Sequence, residues 1–110
     1  MPALSYIESR NNGMARSPKG ALGSTQLMPP TAQEMAAKVG VPYDQSLLQS
    51  NDPQALNYQN QLGRAYLQEG YNKTGNLRDA LRYYNGGPNF ARKPSTNAYA
   101  DAVLNRMGGM

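Results

Sequence analysis

The chain has no cysteine and no histidine, and only seven of its 110 residues are acidic. Without cysteine there can be no disulfide, no thiol nucleophile and no thiolate metal site. The missing histidine removes the Ser-His-Asp triad and most zinc and iron sites. Acid–base chemistry near neutral pH is left to a carboxylate, a lysine or a tyrosine. No metal or other cofactor is expected. Long apolar runs are also lacking: none approaches the length of a membrane span, and no signal-peptide pattern is present.

What remains is 39% hydrophobic and 16% charged, enough for one modest core. Gln, Asn, Ser and Thr supply most of the polarity, which suits neutral hydroxyl-rich ligands. A net charge of +4 favours polyanions. The basic residues are scattered, with no stripe interleaved with stacking aromatics, so nothing specific supports nucleic-acid binding, and an anionic polymer such as cell wall fits the charge equally well.

Gly and Pro separate short helical patterns, and no period-2 strand run stands out. Helices are expected over Ala3–Ser9 and Gly23–Met28. The next, Thr31–Val39, has a capping box from Thr31 and Glu34 and a stop at Gly40. Asp52 and Pro53 read as the N-cap and first residue of the longest helix, running to about Glu69 with Ala55, Tyr58, Leu62, Ala65 and Tyr66 inward. Asn76 caps a helix with Leu77, Ala80, Leu81 and Tyr84 inward. A last helix over 95–107 buries Tyr99, Ala102, Val103 and Met107. The fold class is all-α, a compact domain of several short helices over residues 1–107, with a frayed tail at 108–110.

Six of the seven carboxylates have local structural explanations. Glu34 belongs to a capping box, Asp52 and Asp44 to N-caps, and Asp79 to a first helical turn where the dipole favours negative charge. Glu69 and Asp101 read as solvated. Glu8 is different: it sits at the C-terminal end of its helix, where the macrodipole and burial against Leu4 and Ile7 favour the neutral acid. A neutral carboxylic acid is what protonation of a glycosidic oxygen needs. On this pattern alone, a solvated glutamate at a helix end stands beside the catalytic reading.

Several spaced motifs occur in order: Glu8-Ser9-x-x-Asn12, Ala15-x-Ser17-Pro18-x-Gly20-Ala21, Gly23-x-x-Gln26-Leu27-Met28-Pro29-x-Thr31-Ala32, Gly63-x-x-Tyr66-Leu67, Tyr84-Asn85-x-Gly87-Pro88 and Thr96-x-x-Tyr99-x-x-x-Val103. Together they resemble the lytic transglycosylase domain of the soluble-lytic-transglycosylase (SLT) type, related to goose-type lysozyme. The resemblance implies a lysozyme-like α fold and cleavage of peptidoglycan at the β-1,4 MurNAc–GlcNAc bond. It implies Glu8 as the single acid and then base, Ser17 as a hydrogen-bond partner of that carboxyl, Gln26 and Met28 as sugar contacts, and Tyr84 and Asn85 as supports beside the acid. Most glycosidases use two carboxylates; a transglycosylase needs one, since the muramyl C6 hydroxyl replaces water.

The sequence departs from the family pattern at several positions. Ser24-Thr25 stand where Leu-Met is usual, Gln59 where Asn is usual, and Ser95 where Glu is common; the short Pro88–Ser95 segment implies a shorter cleft wall. The rival readings are a goose-type hydrolase on the same scaffold, a catalytically idle wall-binding module and, least favoured, a nucleic-acid-binding module. Each residue singled out also has a bland reading: Tyr84 and Met28 as core, Ser17 as a turn residue. Action is expected at the bacterial cell wall or periplasm. The abrupt opening "MPALSYIE" points to an excised piece of a longer protein or a trimmed first helix; brevity and the missing export signal favour a phage-encoded or excised domain, set in a virion, a secretion apparatus or a wall-remodelling enzyme.

Overall fold

A computed structural model describes residues 2–108 of the chain. Among them it contains five α-helices: α1 (Pro2–Ser9), α2 (Pro29–Val39), α3 (Pro53–Thr74), α4 (Leu77–Gly86) and α5 (Ser95–Gly108). Two 3-10 turns, Gln45–Leu48 and Gly87–Arg92, stand between them. The all-α expectation holds, and no sheet forms among the described residues. The tail expected to fray lies partly outside those residues: Gly108 ends α5, and Gly109 and Met110 are not described. By internal packing the chain divides into two units, Met1–Ala65 and Tyr66–Met110.

In the first unit the core is Leu4, Leu22, Leu27, Ala32, Met35, Ala36, Leu48, Ala55, Tyr58 and Leu62. α2 starts two residues earlier than its apparent capping box. Met28 is the N-cap, with no side-chain cap, and Pro29 and Pro30 occupy the first turn. Proline has no N–H to leave unsatisfied there, so the turn needs no hydroxyl cap. Thr31 and Glu34 are therefore ordinary helical residues, and Glu34 is exposed. Gly40 closes α2 in the left-handed conformation, its N–H reaching the carbonyls of Ala36 and Ala37. Val39, the last residue of α2, is 37% exposed.

The helix expected over Gly23–Met28 does not form. Gly23 and Gln26 have φ of 78° and 55°, which a right-handed helix cannot contain. The segment is instead a turn between Leu22 and Leu27, which pair as an antiparallel bridge; Leu22 also bridges to Arg16. Asp44 caps its 3-10 turn as expected, accepting from Ser46 N–H at 3.0 Å. Asp52 does begin α3, its carbonyl accepting the N–H of Leu56 at 2.9 Å.

In the second unit α3 continues five residues past Glu69, to Thr74 before Gly75. Glu69 is consequently not at a solvated helix end: its carboxylate accepts a 2.7 Å bond from Tyr83 Oη, which Lys73 Nζ approaches at 3.3 Å. α4 buries Ala80, Leu81, Tyr83 and Tyr84, and Tyr66 packs on both tyrosine rings at 5.4 and 5.2 Å. In α5 the buried face is Thr96, Ala100 and Val103. Thr96 fixes this phase because its hydroxyl donates to Lys93 O at 2.7 Å and accepts from Arg82 Nε at 3.1 Å. Ala102 is therefore only half-buried, and Met107 is 50% exposed rather than buried.

Asn76 caps α4 as expected, its side chain accepting from Asp79 N–H at 2.8 Å. Its amide also donates to the Asp79 carboxylate at 3.1 Å. That bond, with Arg82 and Arg78 nearby, holds the Asp79 carboxyl below the usual carboxylate range. A depressed folded-state value means the stabilisation is present above the ordinary carboxylate range and is lost as pH falls through the folded value. Asn76→Ala should lower stability by about 1 kcal/mol in thermal denaturation and move the Asp79 titration upward by NMR.

Candidate functional site

Glu8 is the penultimate residue of α1 and half-buried. The next residue fixes it. Ser9 Oγ lies 2.8 Å from Ser24 O and 3.1 Å from Ser5 O, and accepts the N–H of Asn12 at 3.1 Å. The helix then breaks sharply, because Arg10 and Asn11 both take left-handed backbone conformations with φ of 57° and 62°. Asn tolerates this region; Arg bears the ordinary steric cost of about 1 kcal/mol or more. The reward is a chain reversal within two residues, in which Asn11 N–H returns to Ser5 O at 3.2 Å.

Ser17 opens the turn Ser17–Gly20, closed by Gly20 N–H to Ser17 O at 2.9 Å. Its Oγ accepts the N–H of Ala21 at 3.0 Å. A hydroxyl that accepts one bond retains its proton for donation. Gln26 lies half-buried in the Leu22–Leu27 turn, with Nε2 donating to Gly23 O at 2.8 Å and lying 3.3 Å from Ala15 O. These bonds orient its amide. Met28 is 41% exposed at the N-cap of α2. Gly23 must be glycine: at φ 78° a Cβ would fall 2.6 Å from Leu48 O and 2.8 Å from the Gln59 amide.

Gln59 is the residue whose role the sequence reading missed. It is 1% exposed on α3, with Oε1 accepting the N–H of Ser24 at 2.7 Å. Nε2 lies 3.1, 3.0 and 3.1 Å from the carbonyls of Gly13, Leu47 and Ser50, so its two hydrogens serve three acceptors. Thr25 Oγ1 adds a bond to Gln59 O at 3.3 Å. The signal was a polar residue in the buried stripe Ala55, Gln59, Leu62. A glutamine at an i, i+4, i+7 core position must satisfy its amide internally, and only loop backbone can supply the partners. Gly13 fits because a Cβ there would lie 2.0 Å from Ser50 O.

Tyr84 and Asn85 belong to the second unit, in the last turn of α4. Tyr84 is buried and packs against Tyr66 with ring centroids 5.2 Å apart. The side chain of Asn85 is exposed.

The model of the transglycosylase SLT domain matches residues 1–106. The chain belongs to the transglycosylase SLT family. It superposes on an inactive mutant of the lytic transglycosylase Slt from Pseudomonas aeruginosa with a TM-score of 0.76 and 29% identity, over 94% of this chain and 20% of that one. The 70 kDa soluble lytic transglycosylase SLT70 from Escherichia coli gives a TM-score of 0.64 and 28% identity, over 96% of this chain and 18% of that one. The chain thus spans about a fifth of the length of these structures. No curated protein matches it.

Within this SLT domain the first unit holds Glu8, Ser17, Gln26 and Met28, and the second holds Tyr84 and Asn85. Ser9, Ser24 and Gln59 link the end of α1 to α3 through successive hydrogen bonds. Gln59→Leu keeps the bulk of the side chain but strands Ser24 N–H and three carbonyls. It should cost about 3 kcal/mol or more in urea denaturation, and an unchanged midpoint would contradict this role.

Proposed function

We propose that the chain cleaves the β-1,4 bond between N-acetylmuramic acid and N-acetylglucosamine in peptidoglycan, as a lytic transglycosylase, through one catalytic domain over residues 1–107. The observation that carries this reading is the SLT family match along nearly the whole chain, with Glu8 held at the broken end of α1. Protonated Glu8 gives its proton to the glycosidic oxygen as the muramyl C1–O bond breaks. The carboxylate then accepts the proton of the C6 hydroxyl while O6 closes onto C1, leaving a 1,6-anhydro end. No water is consumed, and the internal nucleophile gains the entropic advantage of proximity.

Ser17 supports the carboxyl through its remaining hydroxyl proton. Gln26 offers an acceptor to a sugar hydroxyl or N-acetyl N–H, and exposed Met28 offers an apolar surface to a pyranose face. Tyr84 and Asn85 assist from α4, Tyr84 by fixing the helix end and Asn85 by hydrogen bonding. The place of action is the bacterial cell wall. No helix among the described residues is long and apolar enough to cross a membrane.

Digestion of purified sacculi, analysed by mass spectrometry, tests the reaction. Products lighter by one water than the reducing-end muropeptides are expected, and Glu8→Gln should lower their rate on the order of 10²–10⁴-fold. Reducing ends alone would assign hydrolysis to the same scaffold. Full activity in the Glu8→Gln protein would remove Glu8 from the chemistry.

A further inference from the structure

The reversal after Glu8 is held from two sides, and one of them lies outside every motif. Arg10 and Asn11 both sit at positive φ, and non-glycine residues stay there only where their surroundings over-determine them. On the α1 side, Arg10 N–H donates to Tyr6 O at 2.8 Å and Asn11 N–H to Ser5 O at 3.2 Å. The Arg10 guanidinium also lies over the Tyr6 ring, 5.6 Å from its centroid. On the other side stands Asn51, just before α3. Its Oδ1 accepts the N–H of Gly13 at 2.7 Å, and its Nδ2 donates to Asn12 Oδ1 at 3.2 Å. Asn12 Oδ1 accepts Met14 N–H at 3.0 Å as well, which fixes the amide that Asn51 meets. Asn12 N–H donates in turn to Ser9 Oγ at 3.1 Å, beside Glu8.

We propose that Asn51 is a positioning residue for Glu8: it holds the strained reversal closed and, through Asn12 and Ser9, fixes the end of α1 that carries the carboxyl. The role of Glu8 in this rests on the proposed function. Asn51 suits the task because its own segment is anchored, with Ser50 O accepting from Gln59 and Ser50 Oγ from Asp52 N–H. An asparagine supplies the acceptor and the donor that Gly13 N–H and Asn12 Oδ1 require. Gly13 is buried against Ser50, so its N–H depends on Asn51 rather than on solvent. Without Asn51 the strain at Arg10 is opposed from the α1 side alone. A small shift of Glu8 leaves Gln26 and Met28 where they are, so the loss falls on the chemical step rather than on binding.

The test is steady-state cleavage of soluble peptidoglycan strands, joined to native-state hydrogen exchange. Asn51→Ala should lower kcat by about tenfold or more and leave KM unchanged. Adding Arg10→Gly, which removes the steric cost of positive φ, should recover most of that loss. Asp44→Ala removes a cap elsewhere in the same unit and should keep the wild-type kcat. Asn51→Asp keeps the acceptor for Gly13 N–H but loses the donor to Asn12; as the milder variant it should show the same split to a smaller degree. In Asn51→Ala the Arg10 and Asn11 amides should exchange about tenfold faster or more while Leu62 keeps its protection. A wild-type kcat in both Asn51 variants, a loss confined to KM, an equal loss in Asp44→Ala, no recovery with Arg10→Gly, or unchanged exchange overturns the proposal. Faster exchange in a protein whose wild type leaves the strands uncut upholds the hold on the reversal and rejects the proposed function.

Discussion

The Gln59 side chain accepts from Ser24 and donates to the carbonyls of Gly13, Leu47 and Ser50, all from a buried position on α3. Residues 10–28 contain no regular helix or sheet, so their backbone groups cannot satisfy one another by a repeating ladder. Turns and isolated bridges pair part of the loop within itself, while Ser24 N–H and Gly13 O find their partner in Gln59. One amide with both a donor and an acceptor end can hold an N–H of one segment and carbonyls of two others, where an apolar side chain could hold none. Two glycines, Gly13 and Gly23, let the loop come close enough for this. Low local dielectric strengthens each of these bonds and makes the loss of any one costly.

The same network reaches the candidate acid. Ser24 is held by Gln59 through its N–H and by Ser9 through its carbonyl, and Ser9 adjoins Glu8. The left-handed pair Arg10 and Asn11 turns the chain away directly after Glu8. A carboxyl that acts first as acid and then as base, as proposed for Glu8, has to be held still while its charge changes. Here the end of its short helix is held by hydrogen bonds and a strained reversal rather than by helix length.

Much of this was legible in the sequence and some was not, for identifiable reasons. The Asn76 and Asp44 caps, the Gly40 stop and the Asp52-Pro53 start were readable because capping chemistry is local. The Gly23–Met28 helix was misread because composition does not reveal that Gln26 adopts a positive φ; the tertiary bonds of Ser24 impose the turn. The Thr31–Glu34 capping box gave way to the preceding prolines, which already end the need for a cap. Thr96 set the phase of α5 against the apolar pattern because a buried hydroxyl has to be paired. For the site, the motif residues could be named and Gln59 stood out as a departure, but its role could not be read. Its function depends on carbonyls up to 46 residues away in sequence.

Native-state hydrogen exchange at Ser24 N–H tests the central claim most directly. If Gln59 holds the loop to the core, this amide should exchange only through the opening that also exposes Leu62 in α3, with the same free energy and the same response to denaturant. Exchange at the rate of an unprotected loop amide, while Leu62 stays protected, would show that the loop moves independently of α3 and would contradict the account.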